Sequence, residues 1–237
     1  MSAEMLKVQG LHAHYGKSHV LRGVDFSVGR GEVLSLLGRN GSGRSTTMKS
    51  LMGLVRPSAG SVQLDGRELA GQQPHTICRS GLAFVPEERD VFANLTVEEN
   101  LRMGEQPAVA GATRWTMAQM FDYFPRLKER RRTLAGSLSG GEQQMLTMCR
   151  SLLGNPLAIL IDEPTEGLAP KIVQQVAECI LDMRNQGVSV VLVEQKLAIA
   201  MKVSTKVCVM GHGHIVFEGT PDQLLADREL QAQWLAV

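Results

Sequence analysis

Handling a phosphate needs backbone donors that close around an anion, a cation to share its charge, and a carboxylate nearby to hold a metal or turn a water. Three short stretches of this sequence supply those types. The first is GRNGSGRST, residues 38–46. Gly38, Gly43 and Ser45 fall on the phosphate-loop pattern G-x-x-x-x-G-K-[ST], with Arg44 standing in the lysine position. Arg39, Asn40, Gly41, Ser42 and Thr46 complete the stretch. Successive N–H groups in such a loop form an anion-binding nest, and the helix starting near Arg44 points its positive end at the phosphates. The second is Asp162-Glu163, delivered by the apolar run Leu157–Ile161. At the carboxyl edge of a strand an aspartate can hold Mg²⁺ together with the Ser45 hydroxyl, and Glu163 can polarise a water for attack on a γ-phosphate. The third is LSGGEQQ, residues 138–144. Ser139 and Glu142 make a capping box, while Gly140 and Gly141 occupy a first turn where glycine weakens a helix. Bare N–H groups at a positive helix end suit a second phosphate contact.

The elements that must carry these residues are legible in the periodicity. Residues 5–35 alternate in short apolar patterns broken by glycines and read as antiparallel strands. Glu32–Leu37 reads as a buried strand running into the glycine loop, and Thr46–Leu54 as the helix after it, with Met48, Leu51 and Met52 at helical spacing. Ala158–Ile161 and, apart from Ser189, Val188–Val193 are continuously apolar, as strands covered on both faces of a parallel sheet are. A helix is expected over Lys171–Arg184, several helices without strong strands over 88–155, and a surface loop over Gln106–Thr113.

Bulk composition narrows the classes. Lys plus Arg number 25 against 24 Asp plus Glu in 237 residues, so no overall charge excess points to nucleic acid. The start, MSAEMLKVQG, has neither the basic nor the apolar part of a secretory signal, and no apolar run approaches the ~20 residues that span a bilayer. Cys78, Cys149, Cys179 and Cys208 are scattered through apolar segments and read as buried free thiols. Gly211-His212-Gly213-His214 reads as a strand turn rather than a metal pair, Arg126–Arg132 as a solvated helix end, and the methionines as core packing.

LSGGE followed by an apolar strand and DEP resembles the ATP-binding subunits of ABC transporters, over almost the whole chain. The resemblance implies an α/β P-loop fold of ABC type in a single domain, residues 1–237. Its mixed-sheet core with an N-terminal antiparallel β subdomain takes residues 1–87 and 156–237, and an α-helical subdomain takes 88–155. It implies Mg-ATP hydrolysis that drives a membrane permease, with Gly38–Thr46 on the phosphates, Tyr15 stacked on adenine, and Ser45, Asp162 and Glu87 around Mg²⁺. Glu163 and Gln195 take the catalytic positions. Ser139, Gly140, Gly141 and Glu142 are implied to contact ATP held by a second ATPase subunit, in a homo- or heterodimer whose sites are linked through PTEGLAP. No nucleic acid and no membrane span are implied, and the location is the cytoplasmic face of a prokaryotic inner membrane.

FVPEERDVFANLTVEENL and VLVEQ are similar to the ATPase subunits of branched-chain amino acid importers and the related urea and amide importers. Glu87 and Gln195 replace the glutamine and histidine of most ABC members, as is the habit of that branch. Arg44 matches no branch habit, and a weaker hold on ATP or slower turnover is expected from it. Two alternatives use the same residues. One is a weakly active subunit paired with a competent homologue. The other is a non-transport ABC ATPase of DNA repair or ribosomes, although paired cassettes, coiled-coil insertions and basic linkers are missing. The solute is not written here, because that choice belongs to the membrane and solute-binding subunits.

Overall fold

A strand with no exposed residue needs hydrogen-bond partners on both edges and apolar cover on both faces. Three segments are buried at every position: β3 (Val33–Leu37), β7 (Ala158–Asp162) and β8 (Ser189–Val193). In the computed structural model, which describes residues 4–235, they lie together in a six-stranded sheet. With β6 (Leu82–Val85), β9 (Lys206–Gly211) and β10 (His214–Gly219) its order is β10-β9-β3-β8-β7-β6. All neighbours are parallel except the β9–β10 hairpin. A second, antiparallel sheet of order β2-β1-β4-β5 is built from β1 (Glu4–Tyr15), β2 (Ser18–Gly29), β4 (Ala59–Leu64) and β5 (Arg67–Glu68).

The alternation of side chains along the parallel strands sorts them into two cores. Leu34, Leu36, Leu160, Val191 and Val193 join the antiparallel sheet and α1 (Arg44–Leu51) in one cluster. Val33, Ile159, Ile161, Val190 and Leu192 join the other, against α6 (Gly140–Leu152) and α7 (Pro170–Asn185). Each such side chain contributes about 1.5–3 kcal/mol by leaving water, so the sheet between the two cores is the part least free to shift. The helix after the glycine loop begins inside the loop, at Arg44, and ends at Leu51 rather than Leu54; Gly53 turns the chain away at φ 69.

Between β6 and β7 the chain forms α3 (Val97–Gly104), α4 (Met117–Tyr123), α5 (Pro125–Glu129) and α6, with one isolated bridge and no strand. Residues 106–113 carry no helix or strand. Asn155 anchors this stretch, donating to Gln106 O and accepting from Trp115 N, both at 2.6 Å. The remaining helices are α2 (Pro74–Arg79), α8 (Leu197–Val203), α9 (Pro221–Ala226) and α10 (Arg228–Trp234). No helix among the described residues is long and apolar enough to cross a membrane. Cys149, Cys179 and Cys208 are buried free thiols, whereas Cys78 is exposed: it follows the inward-facing Ile77 on the short α2 and so faces outward.

The glycine-histidine repeat is the β9–β10 turn, and it braces the glycine loop. Gly213 N donates to Ser42 O at 3.0 Å, and Gly213 O accepts from Arg22 N at 2.8 Å. Gly213 sits at φ 85, and a Cβ there would run into Val20 O. Gly213→Ala should therefore destabilise the chain by about 2–3 kcal/mol, roughly 4–12 °C in Tm for a protein of this size. Calorimetry of the two proteins checks it.

Candidate active site

Parallel strands end together, so their carboxyl-end loops meet at one edge. Here that edge collects the loops after β3, β6, β7 and β8 around a cleft of ≈ 310 Å³. Asn40, Gly41, Gly43, Arg44, Ser45 and Thr46 line one side of it. Glu87, Glu163, Glu166 and Gln195 line the other. Gly38 and Gly43 let the chain fold into this loop, with φ values of 148 and 110. A Cβ on Gly38 would stand 2.5 Å from Met210 O. Thr47 N closes the first turn of α1 on Gly43 O at 2.8 Å, and Ser42 N turns back on Arg39 O at 3.1 Å, which together shape the loop.

Arg44 occupies the floor, 5 % exposed. Its Nη2 donates to Glu163 Oε1 at 3.1 Å and to Asn40 Oδ1 at 3.2 Å, and Nη1 reaches Glu194 O at 3.4 Å. Gln195 Nε2 donates to the other Glu163 oxygen at 2.6 Å. Both oxygens of the carboxylate expected to face water are thus held, and the residue stands at φ 45, a conformation sparsely used outside glycine. Burial raises the Glu163 pKa, Arg44 and Gln195 pull it back, and the charges of Glu87 and Asp162 push it up again.

Asp162, at the end of β7, is 2 % exposed and lies beneath the cleft. Burial pushes its carboxyl up to about 6; the Ser45 hydroxyl opposes this, and the Glu87 charge adds to it. Its Oδ1 has no hydrogen-bond partner. A bare buried oxygen costs about 1–3 kcal/mol, which a divalent cation with oxygen ligands would relieve. The residues present therefore fit Mg²⁺. Carboxylate oxygens of Glu87, Glu163 and Glu166 also lie within 4.8 Å of one another at the cleft.

The other expected residues lie elsewhere. Tyr15 ends β1 and is 51 % exposed. Arg39 donates to Ala232 O at 3.3 Å, away from the cleft, and the Ser42 hydroxyl is buried without a partner. Ser139 caps α6 as expected, with Glu142 closing the box through Ser139 N at 2.9 Å. The same Glu142 oxygen takes Arg130 at 2.8 Å, so this carboxylate is occupied by the cap and by the basic run.

Glu194 is a residue the sequence reading passed over. It is 2 % exposed, accepts from Thr165 Oγ1 at 2.6 Å, and accepts the N–H groups of Gln195 and Lys196 at 2.9 and 3.0 Å. Lys196 Nζ donates to Thr165 O at 3.0 Å. These bonds strap the loop after β8 to the loop after β7. A carboxylate directly after a five-residue apolar strand, the signal that marked Asp162, was present here too.

The ABC transporter family matches residues 21–166. The chain is 42% identical to the high-affinity branched-chain amino acid transport ATP-binding protein BraG of Pseudomonas aeruginosa, covering 98% of this chain and 99% of that one. It is 35% identical to the probable branched-chain amino acid transport ATP-binding protein LivF of Archaeoglobus fulgidus, over 96% and 97% of the two chains. Among solved structures, the ADP conformation of the ATP-binding cassette MJ1267 superposes with a TM-score of 0.82 at 25% identity, covering 98% of both chains.

Asp162 offers a test of the electrostatics. Its native pKa of about 6 lies above the unfolded value near 4. Its contribution to stability is then fully present below about pH 4 and is lost as pH rises through about 6. Asp162→Asn should make the nucleotide-free chain more stable than wild type by about 1–3 kcal/mol near neutral pH. That gap should close as the solution is acidified. Thermal melts across the range decide it, and a gap independent of pH would exclude ionisation as its cause.

Proposed function

The chain belongs to the ABC transporter family of ATP-binding subunits, and from that premise we propose that it hydrolyses Mg-ATP to power import of branched-chain amino acids through a membrane permease. The observation that carries the substrate class is 42% identity, over nearly the full length of both chains, to a relative named for that transport. The cleft supports the chemistry. The nest of residues 38–46 receives the ATP phosphates, Tyr15 stacks on adenine, and Asp162 and Ser45, with Glu87 close by, hold Mg²⁺. An ion held by these residues would neutralise charge on the phosphate oxygens. Glu163 takes a proton from water as the water oxygen attacks the γ-phosphorus, the bond to the β-phosphate oxygen breaks, and ADP and phosphate leave. Gln195 steadies the γ-phosphate as a neutral donor.

The active form is a head-to-tail dimer with an identical or related subunit, in which Ser139, Gly140 and Gly141 face the partner's ATP and Glu142 keeps their helix end in shape. Residues 88–155 act as the moving helical subdomain, and 1–87 with 156–237 as the nucleotide-binding core. A groove of ≈ 790 Å³ runs between α2, β6 and the helical segment, with Phe84, Phe92, Met103 and Val109 along it. Arg150 covers the Phe92 ring at 4.8 Å from its centroid. This apolar channel suits a helix of the permease, which would place the subunit on the cytoplasmic face of the membrane.

Arg44 lowers turnover. Its fork is engaged by Glu163, Asn40 and Glu194 O, so reaching a phosphate means leaving an ion pair buried on both sides. A misaligned charge-assisted bond forfeits roughly 1.5–3 kcal/mol, one to two decades in rate. Arg44→Lys should therefore raise kcat/KM for Mg-ATP about tenfold, against Glu163→Gln as the inactive control. Equal kinetics for Arg and Lys would remove the handicap. Loss of leucine, isoleucine and valine uptake on deletion of the gene, restored by wild type and not by Glu163→Gln, tests the transport reading.

A further inference from the structure

Arg89 lies two residues beyond Glu87, and its side chain touches two other loops at once. Nη2 donates to Glu166 O at 2.8 Å. The guanidinium lies so close over Gly140 that a Cβ there would meet Nη1, and it stands 3.5 Å from where a Cβ on Gly167 would sit. Two features of this arrangement are unfavourable by themselves. Arg89 adopts φ 53, a left-handed backbone rarely used by an arginine. Its positive charge also lies at the N-terminus of α6, where the helix dipole repels cations.

We propose that Arg89 is a positioning residue that brackets the loop 163–167 and the N-terminus of α6 to the segment carrying Glu87. The inference rests on the dimer described above, in which the N-terminus of α6 faces the other subunit's ATP and the 163–167 loop lies between the two sites. Glu87 and Glu166 line the cleft of their own subunit. A displacement of Glu87 on nucleotide binding is thus carried by one side chain to the α6 end that faces the opposite nucleotide and to the loop between the two sites. Gly140 answers to the same demand: besides baring its N–H, it leaves room for the guanidinium plane.

The test uses the full chain, with Arg89→Ala, Arg89→Lys, Gly140→Ala and the Arg89→Ala/Gly140→Ala double variant. Alanine is a better helix former than glycine, so the fold of the Gly140 variant is not at stake. In the nucleotide-free chain, Arg89→Ala should speed amide hydrogen exchange at least about fivefold in both 138–143 and 164–168, leaving β7 and β8 unchanged. Its kcat should fall about tenfold with KM for ATP within about twofold, because the cleft keeps all its own donors. Lysine, which keeps the charge and one donor, should recover part of both effects. Gly140→Ala displaces the guanidinium and should reproduce the loss, and the double variant should be no worse than the worse single one. Unchanged exchange in either loop, or additive losses in the double variant, would overturn the bracket. A Glu163→Gln chain that stays monomeric with Mg-ATP would refute the dimer reading instead, with the exchange measurement still deciding on Arg89.

Discussion

A guanidinium and a carboxylate, both almost sealed from water, face each other at the end of the parallel sheet, and the cleft is organised around that pair. Arg44 and Glu163 come from opposite sides of β8, one from the start of α1 and the other from the end of β7. Bringing two ions out of water costs several kcal/mol each, and the attraction offsets this only where remaining donors and acceptors are matched. Asn40 and Glu194 O do so for the arginine, and Gln195 for the carboxylate. Each of these partners stands where it does because β3, β7 and β8 are locked in register between two apolar cores. The pair is therefore a product of the sheet, and it sets the charge at the floor of the cleft.

Around it the carboxylates divide by environment. Asp162 is buried deep enough to resist ionisation and has an oxygen without a partner, which prepares it for a cation. Glu163 is held by neighbours that favour its charged form against burial. Glu194 is fully engaged with Thr165 and two backbone N–H groups and serves to tie loops together. Three acids at adjacent strand ends thus differ in chemistry because burial and available donors differ.

The loops that would face a partner depend on longer-range contacts. Ser139 and Glu142 shape the end of α6 locally, yet the position of that end relative to Glu166 is held by Arg89, some fifty residues earlier in the chain. The β9–β10 turn similarly reaches back to Ser42, so the phosphate loop leans on the C-terminal part of the chain.

Much was readable before any coordinates. Short, largely apolar runs named the central strands, because a parallel strand covered on both faces leaves little room for polar side chains beyond small ones such as Ser35 and Ser189. Spacing alone marked the glycine loop, the Asp162-Glu163 pair and the Ser139–Glu142 cap, since each is a local arrangement of a few consecutive residues. Helix ends were less legible: α1 starts at Arg44, as the glycine loop implies, but stops at Leu51, because Gly53 turns the chain away before the apolar spacing runs out at Leu54. The outward face of Cys78 and the tie between Glu142 and Arg130 depend on which neighbours pack against them. What tertiary structure alone decided is where long polar side chains end. The destination of Arg44 on Glu163, of Glu194 on Thr165 and of Arg89 on Glu166 is set by segments 29 to 119 residues away, and no local pattern encodes such a distance.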